Sequence, residues 1–149
     1  PWIASGYHEL PNEADKWTAD GWFRTGDVAT IDAEGYVKIT DRIKDLIKSG
    51  GEWISSLDLE YALMAHPAVQ EAAVIGVAHP QWDERPLAIV VLKPGAHADD
   101  AALRAFLAPR VAKFWLPDAF TFVAEIPRTS TGKIQKAALR ERYRGWRWD

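Results

Sequence analysis

A polar loop near the end of the chain presents one lysine in surroundings that suit charge stabilisation. The loop reads PRTSTGK over residues 127–133, where Pro127 ends the preceding strand and small hydroxylated residues lead up to Lys133. A cation held in this way can lie against phosphate and carboxylate oxygens while negative charge develops on them. Spacing alone more often indicates a solvated loop lysine. A phosphate-binding Walker loop is excluded, because that motif requires Gly at the position of Pro127 and Ser or Thr at the position of Ile134.

A second candidate is an aspartate that follows a glycine. FRTGD spans residues 23–27 and places Asp27 directly before a predicted strand. From such a loop a carboxylate can accept two hydrogen bonds from vicinal hydroxyls, such as those of a ribose. The alternative is a turn aspartate paired with Arg24, which is the commoner case because Asp beside Gly is frequent in turns.

Two neighbouring segments could act as a hinge and as a backbone without side chains beside which a ligand can pass. DRIKD, residues 41–45, alternates charges between two predicted hairpins, so it is either a salt-bridged exposed strand or a hinge. SGG, residues 49–51, would allow a narrow ligand to pass close to the backbone. The same three residues fit an ordinary tight turn, which the sequence alone favours.

Composition is that of an ordinary globular protein and narrows the available chemistry. The chain has 149 residues, 48% hydrophobic and 26% charged, with a net charge of −3, which indicates neither a nucleic-acid partner nor a polybasic membrane binder. The absence of cysteine excludes disulfides and thiolate catalysis and fits a reducing compartment, so we expect a cytoplasmic protein. The four histidines do not cluster, so we expect no metal held by protein side chains. No apolar run approaches the ~18 residues of a transmembrane segment.

The elements that would position these residues alternate irregularly between strands and helices, which predicts an α+β fold. Ser55, with Asp58 three residues later, is typical of a helix N-terminus. The predicted helices cover residues 57–65, 100–108 and 135–143. The predicted strands are residues 28–32, 36–40, 45–48, 52–54, 69–77, 85–92 and 119–123.

Three segments, in this order, carry a family resemblance. GWFRTGD, GYVKITDRIKDLIKSGGEWISSLDLE and PRTSTGKIQK together resemble the C-terminal part of the adenylate-forming superfamily, which includes acyl-CoA synthetases, adenylation domains of peptide synthetases and luciferases. HPAVQEAAVIGVAHPQWDERPLAIVVLKPG is most similar to the medium- and long-chain fatty-acyl branch. The resemblance implies a small lid domain at residues 44–149, with a short β-hairpin and a central mixed or antiparallel sheet flanked by helices. Residues 1–43 would be the β-rich tail of the large N-terminal adenylation domain, including a β-hairpin.

The resemblance also implies a two-step acid–thiol ligase. A carboxylate and MgATP give an acyl-adenylate and pyrophosphate, and the thiol of coenzyme A then displaces AMP to form a thioester. Asp27 matches the aspartate that holds the ribose hydroxyls of ATP, and Arg42 matches an arginine that approaches the nucleotide. Lys133 matches the lysine that bridges the substrate carboxylate and the α-phosphate during adenylation.

The resemblance assigns the second step, thioester formation, to the SGGEW segment, residues 49–53. Gly51 matches the glycine that lines the pantetheine tunnel, and Gly50, Glu52 and Trp53 belong to the same face. Lys44 falls where the family places its hinge residue. Because the adenylation lysine and the tunnel glycine serve different steps, one small domain must present two faces in turn, and we expect them on different surfaces.

The phosphate-binding loop and acyl pocket of this superfamily lie in a large N-terminal domain that these 149 residues do not contain. The resemblance therefore implies that domain as a partner, with fatty acid, ATP and coenzyme A as ligands and Mg²⁺ held mainly by the absent domain. We predict that the 149 residues alone have no ligase activity. Two alternatives stay open: an adenylation domain that loads the carrier protein of a peptide synthetase, and a non-catalytic interaction module.

Overall fold

The computed structural model describes residues 14–148. The chain divides into two compact units, with the boundary between Ile43 and Lys44. The described part of the first unit therefore runs from Ala14 to Ile43, and that of the second from Lys44 to Trp148.

The described part of the first unit contains an antiparallel hairpin. Its strands are β1 (Asp27–Ile31) and β2 (Val37–Arg42). The Asp32 carboxylate organises the turn between them, because it accepts hydrogen bonds from the backbone N–H groups of Glu34 at 3.1 Å and Tyr36 at 2.8 Å. An aspartate that bonds its own following backbone in this way is a common turn former.

A smaller turn precedes this hairpin. The Thr18 hydroxyl oxygen accepts the backbone N–H of Trp22 at 2.8 Å. A hydrogen bond from the same side chain stabilises the charged form of Asp20 and lowers the pKa of that carboxyl group. Asp20 is exposed and is not one of the predicted site residues.

The second unit contains a five-stranded mixed sheet. Four strands pair antiparallel in the order β4–β3–β6–β5, whereas β7 runs parallel to β6. β5 and β6 form a long hairpin that begins with the pair Val69 and Leu92 and ends with His79 and Asp83. We call these the open end and the closed end of the hairpin. The five strands are β3 (Ile47–Ser49), β4 (Glu52–Ile54), β5 (Val69–His79), β6 (Asp83–Leu92) and β7 (Ala119–Phe122).

Three helices pack on this sheet, namely α1 (Ser56–Met64), α2 (Asp100–Leu107) and α3 (Lys136–Arg142). The first two begin at side-chain caps. The Ser55 hydroxyl accepts the N–H of Asp58 at 3.1 Å, and the Asp99 carboxylate accepts the N–H of Ala102 at 2.8 Å. Such caps satisfy donors that a helix N-terminus leaves unpaired and stabilise it by about 1 kcal/mol.

The sheet separates two hydrophobic clusters. One contains residues of α1 and α2, including Leu59 and Leu103, together with Val74 of β5. The other contains Leu139 of α3 and Ala73 of β5. Adjacent residues of β5 thus point to opposite faces, as strand geometry requires. Because both faces are covered, β5 and β6 are nearly continuous apolar runs rather than alternating ones.

The predicted α+β class, with a mixed sheet flanked by helices, is confirmed. The ends of the predicted elements coincide with the observed ones or differ by at most two residues. β5 extends to His79 and β6 begins at Asp83, because the ladder continues through polar residues that an apolar pattern does not include. Ser49, expected in a turn, is the last residue of β3.

Candidate functional site

Asp27 and Arg42, the two predicted nucleotide-binding residues, lie side by side in the first unit. They are opposite one another in the β1/β2 register, and Arg42 Nε lies 3.1 Å from Asp27 Oδ1. The structure thus pairs Asp27 with Arg42 rather than with Arg24, which was the alternative. The Asp27 side chain is 23% exposed and that of Arg42 55%. This pair can offer an acceptor to hydroxyl groups and a donor to phosphate oxygens.

Lys133 lies in an ordered turn of the second unit. Arg128 and Ile134 form an antiparallel bridge across its base, and the Thr129 N–H donates to the Lys133 carbonyl at 2.8 Å. Gly132 has φ +82°, a conformation that glycine adopts without steric cost. The Lys133 side chain is exposed, so a hydrogen-bonded backbone turn presents this cation to solvent.

Ion pairs attach the Lys133 turn and the following helix to the rest of the second unit. Arg128 pairs with Glu71 of β5, near the open end of the hairpin. Lys136 Nζ lies 2.7 Å from Glu60 Oε1 of α1, and both side chains are largely buried. The same Glu60 oxygen accepts the Val74 N–H of β5 at 2.7 Å. The turn is therefore fixed to both α1 and β5, by contacts on either side of Lys133.

Lys44, the predicted hinge residue, is the first residue of the second unit and is exposed. Its carbonyl oxygen accepts a hydrogen bond from Arg140 Nη2 at 3.0 Å, and the same nitrogen lies 2.5 Å from Asp45 Oδ1. Helix α3 therefore holds the peptide that directly follows Lys44.

The SGGEW segment forms a tight turn between β3 and β4. Gly50 and Gly51 both have positive φ, +57° and +91°. The Gly50 N–H donates to the Trp82 carbonyl at 2.8 Å, which attaches the turn to the closed end of the β5/β6 hairpin. A Cβ on Gly50 would lie 2.9 Å from the Trp82 ring, whereas a Cβ on Gly51 would meet no atom within 4 Å. Glu52 and Trp53 are exposed beside this turn.

A cavity of about 320 Å³ lies beside the Gly50–Gly51 turn. Two exposed aromatic rings, Trp82 and Phe114, contribute to its walls together with the buried Arg85. The sequence analysis missed all three, because they are far apart along the chain and none belongs to a motif of chemical groups. The complete lining is Ser49, Gly50, Glu52, Trp82, Arg85, Phe114 and Asp118.

The Lys133 turn and the Gly51 turn are attached to opposite ends of one hairpin. The first is fixed at Glu71 near the open end, and the second at Trp82 in the closed end. Glu71 and His79 are eight residues apart on β5, which is about 26 Å in an extended strand. The predicted site residues of the second unit therefore form two separate groups and not one cluster.

Within residues 14–148, no group of three or more His, Cys, Asp or Glu side chains is arranged to hold a metal ion. No helix in that same range has the length and apolarity needed to cross a membrane.

Comparison with known proteins gives the same family as the motifs. Residues 58–133, half of the chain, match the model of the AMP-binding enzyme C-terminal domain. The chain is 55% identical to a long-chain-fatty-acid–CoA ligase of Thermus thermophilus, covering 98% of this chain and 27% of the relative. It is 49% identical to a medium-chain-fatty-acid–CoA ligase of Ectopseudomonas oleovorans, covering 95% of this chain and 26% of the relative. The chain thus spans about a quarter of the length of these relatives.

Solved structures agree with this relationship. ATP-bound MatB from Rhodopseudomonas palustris is 40% identical and superimposes with a TM-score of 0.87 over 93% of this chain and 28% of MatB. Apo MatB has the same identity over 94% of this chain but a TM-score of 0.71. The matched part of MatB therefore has a different shape in those two structures.

These matches define a class of adenylate-forming enzymes whose small C-terminal domain follows a larger one. The chain described here belongs to the AMP-binding enzyme C-terminal domain family.

Proposed function

We propose that this chain is the C-terminal part of an ATP-dependent, AMP-forming acyl-CoA ligase that acts on fatty acids. Residues 44–149 would be its lid domain, and residues 1–43 the tail of the preceding adenylation domain. The names of the long-chain and medium-chain fatty-acid–CoA ligases, at 55% and 49% identity, support both the reaction and the substrate class. The cytoplasmic location stays a prediction.

Lys133 would serve the first step. Adenylation joins a carboxylate to the α-phosphate of ATP, so negative charge builds up on oxygens that start in two molecules. An exposed ammonium group on a hydrogen-bonded turn can lie against both sets of oxygens with little loss of backbone entropy. Asp27 and Arg42 of the first unit would bind the ribose hydroxyls and the phosphates of the same nucleotide.

The Gly51 turn would serve the second step. Coenzyme A carries its thiol on a long narrow arm, which needs a passage without obstructing side chains. The space around a Gly51 Cβ is open, and the cavity beside the turn contains aromatic rings suited to stacking on a flat base. Glu52 and Trp53 would border the same passage.

The separation of the two turns is the observation that carries this proposal. A single reaction centre cannot contact both ends of a hairpin about 26 Å long, so the lid would bring first Lys133 and then Gly51 to the acyl group. Lys44, the first residue of the second unit, would be the pivot. The first arrangement would also exclude water from the reactive adenylate.

The experiment uses the full-length protein that contains this chain. Pyrophosphate release from ATP with a fatty acid measures adenylation, and thioester formation with coenzyme A measures the complete reaction. These assays contain Mg²⁺. A parallel assay without Mg²⁺ tests the expected dependence of adenylation on MgATP. We expect both activities in the full-length protein and neither in the 149 residues alone. Adenylate formation without a coenzyme A thioester would instead favour transfer to a carrier protein, and the absence of both would favour an interaction module.

A further inference from the structure

Arg85, on β6, has every donor of its guanidinium group engaged by protein atoms. An arginine side chain carries five N–H groups. Two bind the carboxylate oxygens of Asp118 at 2.6 and 2.8 Å. The other three bind the Ser49 hydroxyl at 2.9 Å, the Phe114 carbonyl at 2.8 Å and the Leu116 carbonyl at 3.0 Å. The side chain is only 10% exposed, so it cannot bind a ligand anion without giving up one of these contacts.

These five contacts join two separate walls of the cavity. Ser49 directly precedes the Gly50–Gly51 turn, whereas residues 114–118 form a different wall that leads into β7. Along the chain, Arg85 is 36 residues from Ser49 and 29 to 33 residues from its partners in the 114–118 wall. The planar guanidinium group sets the distance between them and also their relative orientation, because its donors point in fixed directions.

We infer that Arg85 is a positioning residue for the step that accepts coenzyme A. It acts through the glycine turn and the 114–118 wall and does not touch the ligand. This inference rests on the proposed function of the Gly51 turn. Lysine cannot replace Arg85, since an ammonium group has three donors at one point and cannot bind a carboxylate and three further oxygens in this arrangement.

The test compares three variants of the full-length protein. Arg85→Lys keeps the charge but loses the fork of donors, and the milder Ser49→Ala removes only the contact with the glycine turn. Arg110→Lys is the matched control, because Arg110 contacts the carbonyl and the ring of Phe106 away from the cavity. The measurements are adenylation by pyrophosphate release, the KM for coenzyme A in thioester formation from preformed acyl-adenylate, and hydrogen exchange of residues 49–53, 113–118 and 127–135.

For Arg85→Lys we expect the KM for coenzyme A to rise about ten- to a hundredfold, as a misplacement of ~1 Å can produce. Adenylation should change less than about twofold, because the Lys133 turn is attached elsewhere. Ser49→Ala should raise the same KM by a smaller factor, and Arg110→Lys should leave it unchanged. Hydrogen exchange should become faster in both 49–53 and 113–118, but not in 127–135.

Two results would overturn the inference. One is an equal loss of both half-reactions in Arg85→Lys, which a general loss of folded protein would produce, with no KM change in Ser49→Ala. The other is a hydrogen-exchange rate that stays unchanged in residues 49–53 or in residues 113–118 of Arg85→Lys. Failure of the proposed function is recognised separately, because wild-type protein would then form no coenzyme A thioester. In that case the faster exchange of both walls would still show the positioning by Arg85, but its assignment to this step would be wrong.

Discussion

Replacement of Gly51 separates backbone strain from obstruction of a ligand. Gly51→Ala and Gly51→Leu both force a side-chain-bearing residue to φ +91°, which costs about 1–2 kcal/mol of folding stability. A Cβ at this position would meet no atom within 4 Å, so the leucine side chain begins in open space. The two variants should therefore lose similar free energies of unfolding, which urea denaturation measures.

They should differ in thioester formation if the pantetheine arm passes over Gly51. A leucine in that passage would overpack it, at a cost of about 1–3 kcal/mol, which corresponds to a rate about 5- to 150-fold lower. The assay is single-turnover thioester formation by the full-length protein from preformed acyl-adenylate and coenzyme A. Adenylation, measured as pyrophosphate release, should remain within about twofold of the wild-type rate in both variants, because the Lys133 turn and the Gly51 turn are attached to opposite ends of the hairpin.

The comparison is sharp because alanine and leucine carry the same backbone strain. Equal rates of thioester formation in the two variants would refute the passage of coenzyme A over Gly51. A parallel loss of adenylation in Gly51→Leu would refute the division of labour between the two turns.

Three further variants of the full-length protein test other parts of the account. Lys133→Ala should lower the rate of adenylation at least about a hundredfold, which is the usual effect of removing a positioned charge-stabilising group. Thioester formation from preformed acyl-adenylate should remain nearly unchanged. An equal loss of both half-reactions would contradict the role assigned to Lys133. Arg140→Ala removes the donor to the Lys44 carbonyl and should lower overall kcat about three- to tenfold with little effect on either isolated half-reaction, since a hinge limits the exchange between steps. Asp99→Ala removes a helix cap and should reduce the free energy of unfolding by about 1 kcal/mol. Both half-reactions should keep their rates. A loss of only one half-reaction would show that reduced stability by itself can slow one step selectively.

Local sequence signals were sufficient for the elements but not for their assembly. Ser55 with Asp58 predicted the start of α1, and the structure contains that cap. The apolar runs of β5 and β6 predicted two core strands, and in the structure both of their faces are covered. The parallel pairing of β7 with β6 had no counterpart in the sequence pattern, because neither strand carries a signal for its partner.

The residues that position the site depend on contacts across long stretches of chain. Glu60 and Lys136 form a buried pair over an interval of 76 residues, and Arg85 reaches both Ser49 and Asp118. Each of these side chains, taken alone in the sequence, fits a solvated surface residue. Only the packing of α1, α3 and the sheet brings the partners together, so no spacing rule could have selected them.

The alternation of the two turns is tested most directly by hydrogen exchange of the full-length protein in two bound states. With ATP and a non-hydrolysable mimic of the acyl substrate, residues 127–135 should become protected while residues 49–53 remain at the exchange rate of the unbound protein. With a stable acyl-adenylate analogue and coenzyme A, the protection should move to residues 49–53 and leave 127–135. Protection of both segments in the same state would contradict a lid that uses them in succession.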